Sequence, residues 1–436
     1  MNPSDLFQKH IDIMQSRIGE ILVDYKLQGL IISAGELSYY QDDDMAMPFR
    51  SLHHFRHWCP LEGPTHLLLI RLGHKPKLFH HTPLDFWHDH QNIDNEFWLD
   101  SFVIEDHPTL KSMWESLGPL SNVGYLGNAN EFSEKLSLTQ VDAEMINRMN
   151  WHRTYKTDWE YHCLREATQL GVRGHVAAKK SFLEGSSELE VYYSFLKGTG
   201  QTENQLPYTP IVGINEKAAI LHYSQKRSCV VNSKVLLIDA GASYSGYGSD
   251  ITRTWFVEHT PQEFKDLTLA MNDLQLSLCN SALPGMSFCE LHDQCNLGIA
   301  KILVDSGIVK GIDASEVLEK GLVNYFFPHG LGHMLGIFTH DVAGKQKDPV
   351  GAKVDIDEEH TVLRNHRTIE PGFVLTVEPG LYFISILLEQ AKHSSHSQFM
   401  NWNLIDFLTP CGGIRIEDNI YVRAEKAENL TREYLP

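Results

Sequence analysis

Three histidines, His329, His333 and His340, fall within the stretch PHGLGHMLGIFTHD. They are spaced by four and then seven residues. Imidazoles so placed can ligate a metal, act as bases, or pack like ordinary members of a chain with 24 histidines. Carboxylates occur in a comparable pattern. In KVLLIDAGASYSGYGSDITRTWFV an apolar strand pattern closes on Asp239, and a β-branched one opens at Asp250. Paired as a hairpin, these strands set the two carboxylates facing each other across its mouth. The intervening glycines do not make a phosphate loop: G-K-[ST] and G-x-G-x-x-G are both missing, and a strand pattern follows where a helix is required. Glu378 ends VLTV before Pro379–Gly380, and Glu417 lies inside GIRIEDNIYV. A carboxylate within an apolar strand is costly unless it is paired or metal-bound. Arg415, two residues before Glu417, shares its face and offers a salt bridge. Singly, each residue has such an ordinary explanation. Together, four strand-borne carboxylates and one imidazole balance two divalent cations. Two such metals bring a shared water close to ionisation at neutral pH. Oxygen-rich ligation with a single imidazole suits Mn, Co or Fe.

The elements that must position these groups read as two domains. Residues 1–155 begin with an amphipathic helix pattern, followed by strand patterns at 29–35, 65–73, 75–81 and 121–127, an α/β arrangement. The character changes at HRTYKTDWEYHCLREATQL, where Thr157 and Asp158 can cap a long helix. In residues 156–436, Ser187 and Glu190 form a capping box. Strand patterns follow at 209–214, 219–223 and 234–239, then helices near 261–282 and 289–306. Strands return at 374–379 and 413–422, and GIFT before His340 also looks strand-like. Helices and strands come in separate runs, which predicts an α+β fold for this half.

Composition narrows the function classes. At 436 residues, two domains are the natural expectation. The net charge of -19 argues against a nucleic-acid partner, because no basic block offsets phosphate repulsion. No apolar run is long enough to span a bilayer, so no membrane partner is expected. The N-terminus lacks the apolar stretch of a signal peptide. Seven scattered cysteines without a C-x-x-C pair predict reduced thiols and a cytoplasmic protein. The clusters His53, His54, His57 and His88, His90 are expected to be structural or solvated.

The set Asp239, Asp250, His333, Glu378 and Glu417 resembles the dinuclear metallopeptidases of creatinase, or pita-bread, fold. Within them the chain is similar to bacterial Xaa-Pro dipeptidases (prolidases), a group that includes organophosphorus acid anhydrolase-like members. The resemblance runs through AILHYS, LIDAG, SDITRT, FPHGLGH, HDV, TVEPGLYF and GGIRIEDN, and in the first domain through DDDMAMPF and PLDFWH. It implies a C-terminal pita-bread catalytic domain behind an N-terminal α/β domain that dimerises and closes the site. It implies two divalent ions per subunit, most naturally Mn²⁺, held by Asp239, Asp250, His333, Glu378 and Glu417. Asp250 and Glu417 would bridge the metals.

The resemblance also assigns roles around that centre. A metal-bridging hydroxide attacks the carbonyl of a Xaa-Pro dipeptide, Glu378 shuttles the proton, and His340 and His222 stabilise the oxyanion. Arg364 binds the C-terminal carboxylate, His329 lines the substrate pocket, and Arg415 buttresses the cluster. A homodimer is implied, with Asp43 or Asp44 of the partner subunit at the site. Thr339 stands where members often carry an aliphatic residue, which alters the pocket. The alternatives are a side activity on organophosphorus triesters or fluoridates, an Xaa-Pro aminopeptidase, and a non-catalytic peptide-binding module.

Overall fold

The computed structural model describes residues 2–86, 93–118 and 120–435. His88 and His90, and part of PLDFWH, lie outside the described residues. The chain separates into two compact units, residues 1–161 with 348–351, and residues 162–347 with 352–436.

The first unit is built on six strands: β1 (Gly29–Ser33), β2 (Leu67–Arg71), β3 (Lys77–His81), β4 (Val103–His107), β5 (Val123–Leu126) and β6 (Thr139–Gln140). Their order is β4-β3-β2-β1-β5-β6. Parallel and antiparallel pairs mix, because helices and loops return the chain between some strands and a tight turn joins β2 to β3. All five residues of β1 are buried, the pattern of a strand covered on both faces. Ile31, Leu67, Leu69, Phe79 and Tyr125 pack with Met113, Trp114 and Leu117 from the helix Leu110–Ser116 and its end. Two of the clustered histidines have structural surroundings. His54 and His57 are buried, and His57 Nε2 lies 3.1 Å from Glu160 Oε1.

The second unit begins along the helix Asp158–Leu183. Thr157 starts this helix: its Oγ1 accepts from Glu160 N, while Glu160 Oε2 accepts from Thr157 N. The next helix, Glu188–Thr199, carries the Ser187–Glu190 capping box that its sequence predicts. A three-stranded antiparallel sheet follows in the order β11-β8-β7, from β7 (Ile211–Ile214), β8 (Val235–Asp239) and β11 (Thr252–Phe256). Between β8 and β11 the chain makes a small ribbon of β9 (Ser243–Tyr244) and β10 (Tyr247–Gly248). The closing strands are β12 (Val374–Val377), β13 (Gly380–Tyr382), β14 (Gly413–Arg415), β15 (Asp418–Val422) and β16 (Ala427–Asn429). The helices Gln262–Ser281 and Phe288–Asp305 lie between the two strand groups in sequence. Among the described residues, no helix is long and apolar enough to cross a membrane.

Three strand expectations are corrected. Residues 219–223 form the end of a 3-10 turn and a loop, because Asn215–Ala219 coils on itself after β7. GIFT is a run of bends, not a strand. The predicted strand 413–422 is two strands, broken at Ile416–Glu417. At the break Glu417 pairs instead with Thr252 in an isolated bridge, so the chain passes from one sheet to another.

Candidate active site

Antiparallel pairing of β8 with β11 sets Asp239 opposite Thr252. Asp250, two residues before β11, therefore sits at the same end of the hairpin. Gly241 is required there, since a Cβ would meet Ser249 O at 1.8 Å. The histidine segment is held against β12 and Glu378 by several bonds, among them Leu335 N donating to Val374 O at 2.9 Å. Thr376 N donates to His333 O at 3.0 Å, His333 N to Thr376 Oγ1 at 3.1 Å, and Glu378 N to Leu331 O at 2.8 Å. Gly332 permits this approach, because a Cβ would lie 2.1 Å from Thr376 O. Glu417 enters from the break between β14 and β15, with its N donating to Thr252 O at 3.0 Å.

These backbones bring the five residues named from the sequence to one cavity. Asp250, His333 and Glu417 are buried and offer ligand atoms that all lie within 4.8 Å of one another. His333 Nε2 is 3.4 Å from Asp250 Oδ2 and 3.5 Å from Glu378 Oε1. Its Nδ1 lies 2.9 Å from Met334 O. A carbonyl only accepts, so Nδ1 carries the proton and Nε2 is left free to bind a cation. Asp239 joins Asp250 through the Tyr208 hydroxyl, which is 2.7 Å from Asp239 Oδ1 and 2.5 Å from Asp250 Oδ1.

The electrostatics are those of a crowded anionic site. Burial, then the charges of Asp250, Glu378 and Asp239, push the Glu417 carboxyl well above its ordinary range. Burial raises Glu378 to about 7, with His333 opposing and Asp250 adding to the rise. Asp239 is raised by burial despite the Arg415 guanidinium beside it. His333 resists burial and is raised by Asp250 and Glu378. All of these shifts favour proton uptake, the response of crowded carboxylates to missing positive charge. The donor set fits a pair of divalent cations: four carboxylates and one correctly presented imidazole, with Arg415 paired to Asp239 and, among the described residues, no lysine or arginine paired to Asp250, Glu378 or Glu417.

The remaining residues line the same cavity of about 950 Å³. His222, His329, Thr339, His340 and Arg364 all border it. The His340 ring stands at 87° to that of His333, with centroids 4.4 Å apart, and burial lowers its pKa to about 4. His329 is tied at both nitrogens, to Gly330 O at 2.9 Å and to Tyr382 Oη at 2.8 Å. By the same tautomer argument its Nε2 accepts from the tyrosine hydroxyl. Burial drops its pKa to about 3, so it presents a neutral ring to the cavity. Arg415 does not pair with Glu417, as its place in the strand suggested. Its Nη2 bonds Asp239 Oδ2 at 2.7 Å, its Nη1 reaches Tyr382 Oη at 3.0 Å, and its Nε reaches Thr252 Oγ1 at 3.2 Å. The chain break turns Glu417 away, and Thr252 Oγ1 bonds Glu417 Oε2 at 2.6 Å instead.

Sequence comparison decides the family. A family model described as "Metallopeptidase family M24" matches residues 162–424, and "Xaa-Pro dipeptidase, N-terminal domain" matches residues 5–151. An Xaa-Pro dipeptidase of Shewanella pealeana is 39% identical over 431 residues, covering 98% of this chain and 97% of that protein. One from Shewanella oneidensis is 40% identical, covering 98% of each. The chain belongs to the Xaa-Pro dipeptidases of metallopeptidase family M24. Among solved structures, aminopeptidase P from Escherichia coli with the inhibitor Pro-Leu aligns with a TM-score of 0.73 at 22% identity, covering 100% of this chain and 96% of that one. Pseudomonas aeruginosa aminopeptidase PepP gives 0.74 at 21%, covering 99% and 95%. At such identities these two show the shared fold, a pita-bread catalytic domain behind an N-terminal α/β domain.

Sequence reasoning missed Tyr208, Thr252 and Tyr382, which hold the acidic cluster. The usable signal for Tyr208 is register: β7 pairs with β8 so that Ile211 faces Asp239, which puts the residues just before β7 at the aspartates. It also missed Glu188, a buried carboxylate that accepts from Ile214 N, the Tyr223 hydroxyl, and Arg227 N, Nε and Nη2 at 2.7–3.0 Å. That knot anchors the irregular segment carrying His222.

Proposed function

We propose that this protein hydrolyses Xaa-Pro dipeptides with two divalent cations and releases free proline. The observation that carries this reading is the convergence of Asp239, Asp250, His333, Glu378 and Glu417 in one cavity, in a chain of the Xaa-Pro dipeptidase family. These five side chains would hold the cations. Bound there, the cations would polarise the scissile carbonyl and acidify a water. Manganese suits the oxygen-rich donor set best.

The chain's own groups do the rest. Glu378 Oε takes the proton of the attacking water and delivers it to the proline nitrogen as the C–N bond breaks. That nitrogen is tertiary in the peptide, so the pocket needs no acceptor for an N–H. His340 and His222 donate to the developing oxyanion. His329, neutral and tied at both nitrogens, serves as a fixed wall. Arg415 orients Asp239, and Arg364 grips the carboxylate that follows the ring. The exposed loop bearing Tyr39, Tyr40, Met45 and Met47 around Asp43 and Asp44 supports a homodimer in which Asp43 or Asp44 of the partner subunit closes the site. All seven cysteines are free, in keeping with a cytoplasmic setting.

The test is hydrolysis of Gly-Pro and of Gly-Pro-Gly by chelator-stripped protein, with and without Mn²⁺, beside an Asp250→Ala variant. Metal-restored cleavage of Gly-Pro alone, lost in the variant, is expected. Preference for the tripeptide would make the protein an aminopeptidase. No cleavage with any divalent metal would leave a peptide-binding module.

A further inference from the structure

Two cations border the active-site cavity with no anion to hold them. Arg364 and Lys345 both line it, and both are exposed. Among the described residues, neither side chain makes an ion pair or a hydrogen bond. This is a local inversion in a chain with 56 acidic and 37 basic residues. The backbone segments that carry the two are in contact. His366 N donates to Gly344 O at 2.8 Å, and a Cβ on Gly344 would sit 2.5 Å from the Arg364 carbonyl oxygen.

The same cavity carries Asp239, Asp250, Glu378 and Glu417. Once divalent cations occupy that acidic cluster, its charge is spent. Arg364 and Lys345 then remain as unsatisfied positive charge for a bound molecule. A guanidinium offers a planar fork to a carboxylate, and an ammonium adds a point charge on a flexible stem beside it. A single carboxylate has lone pairs enough for both. We propose that Lys345 is a second carboxylate-binding residue, which grips the substrate's C-terminal carboxylate together with Arg364 and so selects free dipeptides over their amides and longer peptides. The proposal rests on the dipeptidase reading above and assigns it a specificity determinant.

The experiment uses the full-length, Mn²⁺-loaded enzyme. It measures kcat and KM for Ala-Pro, and the Ki of Ala-prolinamide as a competitive inhibitor of that reaction. Lys345→Gln is expected to raise KM for Ala-Pro by about 5–10-fold, the scale of one charge-assisted bond at a solvated rim, with kcat held. The Ki of the amide should not move, and Lys345→Arg should restore KM. Equal weakening of acid and amide would make Lys345 a wall residue and overturn the proposal. No change in either would make it a solvated lysine and overturn the proposal equally. Arg364→Gln separates this proposal from its premise. If that variant erases the preference for acid over amide while Lys345→Gln does not, only the role of Lys345 fails. If neither variant touches the preference, the carboxylate end of the dipeptide does not lie at this wall, and the premise fails as well.

Discussion

Glu417 and Asp418 are chain neighbours, both buried, and electrostatically opposite. Asp418 accepts from Arg253 Nη2 at 2.7 Å, Arg432 Nε at 2.7 Å and Asn429 Nδ2 at 2.8 Å. Burial works against its charge, but the two arginines win and hold the carboxyl below its ordinary range. Glu417 has the Thr252 hydroxyl and otherwise faces Asp250, Glu378 and Asp239, so it is pushed well above that range. Successive residues of extended chain point to opposite sides, so one carboxylate meets arginines and the other meets carboxylates. A buried charge whose counter-ion comes from the chain is part of the scaffold. A buried charge whose counter-ion must come from outside marks a binding site.

Neutralising each residue in turn separates the two carboxylates most sharply. Glu417→Gln should lower Gly-Pro hydrolysis on the order of a thousandfold, because several kcal/mol of transition-state stabilisation depend on the bound cations. Elemental analysis of the variant should show less bound metal. In metal-free protein at neutral pH the same change should raise the urea midpoint, since the neutral amide avoids the cost of burying a carboxyl among Asp250, Glu378 and Asp239. Asp418→Asn should instead cost about 3–5 kcal/mol of stability with or without metal, by leaving the buried Arg253 and the half-buried Arg432 underpaired. Equal losses of stability from both changes would show that the two carboxylates are alike.

A second distinction appears with pH. Without metal, Glu378 is raised from 4.5 to about 7, so between those values the folded state keeps a proton that the unfolded chain has released. Its stabilising contribution is full below pH 4.5 and is lost as pH rises through about 7. His333, also raised, acts in the same direction. Asp418 runs the other way: depressed below 3.8, it stabilises above that value and loses its contribution only in acid. The melting temperature of chelator-stripped protein should therefore fall between about pH 5 and about pH 8. Saturating Mn²⁺ should abolish the fall, because cations replace the protons. A metal-free midpoint that climbs over this range would contradict the crowded-carboxylate picture.

The smallest expected effect concerns the hydroxyl that links the two aspartates. Tyr208→Phe should weaken Mn²⁺ binding by about tenfold, the usual scale for a group that orients metal ligands. Calorimetric titration reads this directly, and unchanged affinity would mean that the aspartates are held without it.

The hairpin bearing Asp239 and Asp250 was legible because an apolar run, a glycine-rich turn and a β-branched run are all local signals. The Ser187–Glu190 cap was legible for the same reason. Residues 219–223 and GIFT were misread because short apolar stretches fit strand and loop equally well, and neighbours decide between them. The break at Ile416–Glu417 left no mark either, since its cause is Thr252, a residue of another sheet.

The chain alone determined where charge and apolar runs lie, where helices begin, and which residues could serve a metal centre. These depend on residue type and short spacing. Only the tertiary structure decided the partners. Arg415 bonds Asp239 across 176 positions of sequence, and Thr252 bonds Glu417 across 165. A buried carboxylate is set by what lies within a few ångströms of it, and in this fold those neighbours come from distant segments of the chain. Residue 417 thus became a group awaiting cations, and residue 418 one already neutralised.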